Sequence, residues 1–221
     1  PRSFYLAALS CLGIALILGI ITSISLPFFS AIDFVRVNAA PNSNIISAQI
    51  RFGLWSPCSY DEDGARFCFF AKHGYSVLIR SLTLQKSVVI GSSWTRGLAI
   101  HPVATVLTAV ALGFACSTLE RGPIIATLTS FLAAFLTFIA FIVDIALYAY
   151  VKGQIAKLDN SNRVSTVTSS AFWLTFVTLI LLIASTLTIF IGQRREVSGA
   201  GAYPSFSSSG KGGFFARFRK S

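Results

Sequence analysis

Two cysteines ten positions apart, Cys58 and Cys68, flank the polar run Asp61-Glu62-Asp63-Gly64. A polar run closed by glycine makes a turn, so the two thiols face each other across a hairpin. In an oxidising compartment such a pair forms a disulfide, and closing so short a loop stabilises the fold by about 3 kcal/mol in the chain-entropy model. A metal site is the poorer alternative, because no second Cys/His pair has matching spacing. The bond is expected to be structural. Cys11 and Cys116 lie in apolar runs and read as small buried side chains; Cys116, near a helix end, is also placed for reversible palmitoylation.

Asp144 and His101 are the other candidates for chemistry. Asp144 is the sole formal charge well inside an apolar run. A carboxylate in hydrocarbon costs at least ~2.5–3.5 kcal/mol, so it faces protein or water, or holds a proton. In one reading, Asp144 hydrogen-bonds between helices and fixes their register, while His101, before Pro102, marks the start of its helix. In the other, the two form a titratable pair that alters helix packing with external pH, histidine being the side chain that ordinarily titrates near neutrality. Catalysis is not indicated. Two histidines, one intramembrane acid and no nucleophile motif leave no enzyme, cofactor or metal to expect.

The elements that must position these residues belong to a greasy chain. Of 221 residues, 54% are apolar even before glycine is counted, and only 12% are charged. Soluble domains have ~45–50% apolar with glycine included and ~25% charged. Intrinsic disorder, a nucleic-acid-binding domain and an ordinary cytosolic enzyme are thereby excluded, and the net charge of +10 points to a membrane surface instead. A bilayer core needs ~20 apolar residues per helix. Four runs meet that demand: 4–26, 98–119, 123–151 and 171–191. The first is too long for the core of a signal peptide, and Ser30-Ala31 is a poor cleavage site, so a retained helix is expected. A start at Pro1 and the lack of methionine suit a processed or trimmed sequence.

Four spans return both termini to one side. Arg2, Arg121, Arg194, Arg195, Lys211, Arg217, Arg219 and Lys220 lie there, against Lys152, Lys157 and Arg163 in the short loop opposite. The positive-inside rule then puts both termini in the cytoplasm and the loop 27–97 outside the cell. The domain plan is therefore helix 4–26, extracellular loop domain 27–97, helices 98–119 and 123–151, extracellular loop 152–170, helix 171–191 and a flexible basic cytoplasmic tail 192–221. On this plan Asp144 lies about 10 Å below the outer end of its helix, with His101 at similar depth on its neighbour. Arg96 stands at the rim, and Tyr148 one turn above Asp144.

In the long loop, 46–55 alternates apolar and polar residues, the pattern of a half-buried strand. The segments 31–38 and 66–70 are shorter strand candidates. Ala15-x3-Gly19 and Ala109-x3-Gly113 are small-residue seams for close helix approach, and the hydroxyls of Thr175, Thr178, Ser185, Thr186 and Thr188 bond within their helix or across to another. In the tail, Lys211, Arg217, Arg219 and Lys220 alternate with Phe214, Phe215 and Phe218. That suits an anionic inner leaflet, at ~1 kcal/mol per cation; a merely solvated tail is the alternative. Nucleic acid is not an expected partner.

The block Phe52-Gly53-Leu54-Trp55-Ser56-Pro57-Cys58, followed by Cys68, resembles the signature of claudin-like tetraspan proteins, although the further upstream Trp usual in claudins is absent. Ile100-His101-Pro102-Val103-Ala104-Thr105-Val106-Leu107-Thr108, Phe141-Ile142-Val143-Asp144-Ile145-Ala146-Leu147-Tyr148 and Gly74-Tyr75 resemble the PalI branch of the fungal Sur-seven/PalI family. The resemblance implies an all-α membrane fold, a four-helix transmembrane bundle with a small disulfide-stapled extracellular β-sheet. It also implies a plasma-membrane protein without enzymatic activity. PalI-type members assist ambient-pH signalling by supporting a seven-span sensor; Sur-seven-type members organise cortical membrane domains and support wall integrity. An auxiliary subunit of a transporter or wall-synthesising enzyme is a third expectation, so the partners implied are membrane lipids and a polytopic membrane protein.

Overall fold

Backbone amides in lipid find partners only within their own segment, and the four longest apolar runs are helical. The computed structural model describes residues 2–40, 48–61, 63–69, 74–80, 87–117, 122–158 and 164–197. Among these, four helical stretches are long and apolar enough to cross a membrane: Tyr5–Ser23, Ser92–Cys116, Ile124–Leu158 and Ser170–Gly192. They are built from α1 (Arg2–Ser23), α2 (Ser92–Arg96), a 3-10 turn at Gly97–Ala99, α3 (Ile100–Cys116), α4 (Gly122–Leu158) and α5 (Ser170–Val197). Pro102 falls in the first turn of α3, where its missing N–H breaks no helix bond. Helix α1 packs against α3 and α5, and α4 packs against the same two.

Among the described residues, seven short strands lie at one end of the bundle: β1 (Val35–Ala39), β2 (Gln49–Phe52), β3 (Pro57–Tyr60), β4 (Arg66–Cys68), β5 (Val77–Arg80), β6 (Ser87–Ile90) and β7 (Val164–Thr168). Five form an antiparallel sheet in the order β4-β3-β2-β1-β7, and β5 pairs with β6 as a separate hairpin. Val35 lies opposite Phe52 and Val37 opposite Ile50. These four face inward and are buried, while Arg36 and Arg51 face out. The outer face is held by Arg51, whose guanidinium sits 4.3 Å above the Tyr60 ring.

Helix α4 continues seven residues past Val151 because its apolar side chains keep helical spacing. Leu147, Val151, Ile155 and Leu158 recur four, four and three positions apart, and each is at most 3% exposed. They enter the same core as Val35, Val37, Ile50 and Phe52. The top of α4 is thus the floor of the sheet. A second core of small residues, including Ala8, Ala15, Ala111 and Ala133 around Leu12 and Leu182, fills the opposite half of the bundle.

The strand expected over 46–55 is shorter. The pairing of β2 covers Gln49–Phe52, residues 46 and 47 lie outside the described residues, and the chain leaves the sheet at Gly53. There the Gly53 N–H donates to the Ser56 carbonyl at 3.3 Å and closes a turn. Leu54 and Trp55 belong to that turn, so their alternation is not strand pleating. β1 begins at Val35 rather than 31, and β4 ends at Cys68 rather than 70.

Candidate functional site

Where α1 ends, the turn after β2 closes over it through contacts that require each residue type. A Cβ at Gly53 would stand 2.3 Å from the Leu26 Cβ and 3.0 Å from the Ser56 carbonyl oxygen, so only glycine fits. The Leu54 N–H donates to Ser25 Oγ at 2.9 Å, and the leucine side chain is buried. The Trp55 indole N–H donates at 2.8 Å to the carbonyl of Ser23, one of the last carbonyls of α1, which no helical amide can reach.

A distant block completes the clamp. The Tyr75 hydroxyl donates to the Gly53 carbonyl at 2.7 Å, and burial pushes its phenol well above the ordinary tyrosine range. Thr95 Oγ1 donates to the Tyr75 carbonyl at 2.7 Å, tying α2 to the same point. Gly74 has φ +66°, and its missing side chain leaves room for Arg96, whose Cγ would lie 2.5 Å from a Cβ there. Gly53-Leu54-Trp55 and Gly74-Tyr75 are therefore two halves of one joint between helix ends and sheet.

Cys58 on β3 and Cys68 on β4 are direct cross-strand partners and form a disulfide. Beside them Ser56 Oγ donates to the Phe69 carbonyl at 2.6 Å. Staple and clamp are consecutive along one short segment.

A cluster that the sequence reading missed joins the other edge. Asp33, fully buried, takes two hydrogen bonds from Arg36, 2.8 Å from Nη2 and 3.1 Å from Nε. It takes a third from Ser169 Oγ at 2.8 Å. Hydrogen bonding to Asp33 outweighs desolvation and raises the Arg36 pKa above its ordinary value. Backbone bonds from Ser169 to Phe34 and from Ala171 to Asp33, both 3.1 Å, bring the start of α5 to β1. The i, i+3 spacing of opposite charges was the available signal.

Inside the bundle, His101 Nε2 lies 3.1 Å from Asp144 Oδ1, joining α3 to α4. Both residues are buried. The His101 ring also lies 4.9 Å from that of Phe34, beneath the sheet. Asp144 Oδ2 has no hydrogen-bond partner among the described residues. Tyr148 does not join the pair; its hydroxyl donates to the Thr166 carbonyl on β7 at 3.4 Å. Arg96 lies across Gly74.

Below this pair is a small cavity with about 10 Å³ of room, lined from all four spans by residues including Gly19, Thr22, Thr108, Thr137 and Thr175. Of the two small-residue seams, Ala15/Gly19 is used: a Cβ at Gly19 would lie 2.8 Å from Thr105 Oγ1. The Ala109/Gly113 seam is not, since Ala109 is exposed and nothing lies within 4 Å of a Cβ at Gly113. Most hydroxyls of α5 donate to their own helix; Thr186 also pairs with Ser130 at 2.7 Å, and Ser185 reaches the Ala8 carbonyl at 3.4 Å. Cys116 is exposed rather than buried, because α3 ends there, and Cys11 is half-buried. No group of three or more metal-binding side chains occurs among the described residues. Lys211, Arg217, Arg219 and Lys220 lie outside them.

Clamp, staple and His101–Asp144 contact all fall within residues 2–188, the stretch matched by the model of the SUR7/PalI family. The chain belongs to the SUR7/PalI family. Its four spanning helices, small antiparallel sheet and Cys58–Cys68 bond make this SUR7/PalI protein a claudin-like tetraspan. No curated protein matches the chain. The matched region stops short of the basic tail, so family membership rests on the bundle and its sheet.

Proposed function

We propose that this SUR7/PalI protein is a non-enzymatic plasma-membrane accessory of the PalI kind, assisting ambient-pH signalling by supporting a polytopic sensor. In this reading both termini are cytoplasmic and the sheet lies outside the cell. Lys211, Arg217, Arg219 and Lys220 hold the tail to anionic lipid. The observation that carries the reading is the 3.1 Å contact of His101 with Asp144, buried just beneath the sheet. An imidazolium at position 101 and a carboxylate at position 144 make an ion pair across α3 and α4, whereas a neutral ring makes only a hydrogen bond to the carboxylate. Helix α3 runs on from α2, and α2 is tied to the clamp through Thr95 and Tyr75. A change at His101 therefore has a direct mechanical path to the sheet.

A second reading is favoured by the outward side of α4, where Leu128, Phe131, Phe135, Phe138 and Ile142 are 47–69% exposed. Such an aromatic strip suits lateral packing against another membrane helix. It would serve a Sur-seven-like organiser of cortical domains and wall integrity, or an auxiliary subunit of a transporter or wall-synthesising enzyme.

Purification from fungal membranes in mild detergent, paired with growth of a deletion strain at alkaline pH, tests the choice. A co-purifying seven-span sensor and poor alkaline growth are expected. Normal growth with eisosome components, or with a large polytopic enzyme, would overturn the pH role in favour of the second reading.

A further inference from the structure

The inner face of the five-stranded sheet is covered by protein at one side and bare at the other. Along the register that runs Val37, Ile50, Ser59, Phe67, the first two are buried in the core shared with α4. Phe67, on the edge strand β4, is 64% exposed. Phe69 follows two positions later, so it points to the same face, and it is equally exposed. Arg66 and Cys68 point to the opposite face. The core under the sheet takes side chains from β1 and β2 and none from β4. Two phenylalanines on the side turned toward the bundle therefore have no protein beneath them.

That bare edge stands where α1 leaves the bundle. Ser56 Oγ donates to the Phe69 carbonyl, and the Ser56 carbonyl accepts from the Gly53 N–H, which in turn sits against Leu26. Phe67 lies about 7 Å from Phe69 along the strand. Directly after Leu26 and Pro27 come Phe28 and Phe29, 70% and 52% exposed. They follow Ile14, Ile17, Ile20 and Ile24, the exposed stripe by which α1 meets lipid. Trp173, at the same end of the bundle in the first turn of α5, is exposed as well. Exposed aromatic rings at the ends of spanning helices mark the boundary between hydrocarbon and headgroups. An apolar patch of this kind is unfavourable in water, whereas the boundary region accepts apolar side chains to a depth of about 5–10 Å.

We propose that the β4 edge of the sheet is seated in the bilayer, with Phe67 and Phe69 inserted beside Phe28 and Phe29 among the headgroups and upper acyl chains of the leaflet beneath it. Lipid is the occupant, rather than a second copy of the chain, because the patch stands at the foot of a helix stripe already turned to lipid. The sheet is then held twice, through β1 and β2 by α4 and through β4 by the membrane. This seating is independent of the pH role and of which side of the membrane the sheet occupies.

Tryptophan fluorescence of the full chain, at one chain per lipid nanodisc, tests it. Phe67→Trp and Phe69→Trp replace exposed rings, and each is read as the emission added to that of the wild type. Val167→Trp, exposed on the opposite face of the sheet beside Arg36, is the control. Phospholipid brominated near the top of its acyl chains should quench most of the emission added at 67 and 69 and spare that added at 167. Aqueous iodide should do the reverse. Should one of the two edge variants fail to fold, the other carries the test. Quenching at 67 and 69 by iodide and not by bromine would overturn the proposal by leaving the edge in water. Protection from both quenchers would overturn it by showing protein over the patch.

Discussion

The indole N–H of Trp55 donates to the carbonyl of Ser23 across 2.8 Å, so the turn that follows β2 caps the helix that crosses the membrane first. Two residues earlier Gly53 rests on Leu26, and from 22 residues further along the chain Tyr75 reaches back to the Gly53 carbonyl. The Gly-Leu-Trp block is thus a joint. It fixes the angle at which the sheet stands on the bundle.

Gly53→Ala tests the tightness of that joint. A Cβ 2.3 Å from the Leu26 Cβ forces backbone apart, and overpacking of this kind costs about 1–3 kcal/mol. Expected is a lowered unfolding midpoint in detergent, with the Cys58–Cys68 bond still formed on a non-reducing gel.

Asp33→Ala removes the acceptor for both Arg36 and Ser169. Breaking a buried pair from one side costs about 3–5 kcal/mol, discounted here because Arg36 is 28% exposed. A loss of about 2 kcal/mol is expected in an unfolding assay, with increased amide exchange concentrated in β1 and β7.

Replacing both Cys58 and Cys68 with serine removes the staple. For the ten-residue separation the chain-entropy model gives a loss of about 3 kcal/mol. The double variant should unfold at a midpoint close to that of the reduced wild type; wild-type stability would show that the sheet does not need the bond.

Tyr75 gives an alkaline signature. Its phenol is raised by burial above the ordinary tyrosine value of about 10, so the unfolded chain loses this proton first. The stability it contributes is complete below pH 10 and falls as pH rises above it, by up to about 1.4 kcal/mol per pH unit. Tyr75→Phe forfeits the bond to Gly53, about 1 kcal/mol at pH 8, but should lose stability less steeply above pH 10 than the wild type. Parallel curves would show that Tyr75 is not shielded.

What could be read from the chain beforehand was whatever is local or long. Spans declare themselves because ~20 consecutive apolar residues have few other uses, and Cys58, Gly64 and Cys68 carry a hairpin within eleven positions. β7 gave no such sign. Val164–Thr168 is short and alternately exposed, and its partner β1 lies about 130 residues away. β3 was hidden by Pro57, which starts it where the missing N–H is tolerated. The upper part of α4 is masked in the sequence because Lys152 and Gly153 interrupt the apolar run, although Ile155 and Leu158 keep the helical period on the sheet side. The His101–Asp144 contact was visible as a possibility of depth; the 3.1 Å geometry and the unmatched Oδ2 needed three dimensions.

The proposed response to ambient pH requires the sheet to lie outside the cell. Ser165, exposed on β7, can be changed to cysteine and labelled in intact cells with a membrane-impermeant maleimide, while Cys116, exposed at the far end of α3, serves as the internal control. The expected result is labelling at position 165 before permeabilisation and at Cys116 only afterwards. The reverse order would place the clamp and its disulfide in the cytoplasm and contradict the orientation, and with it the proposed response to ambient pH.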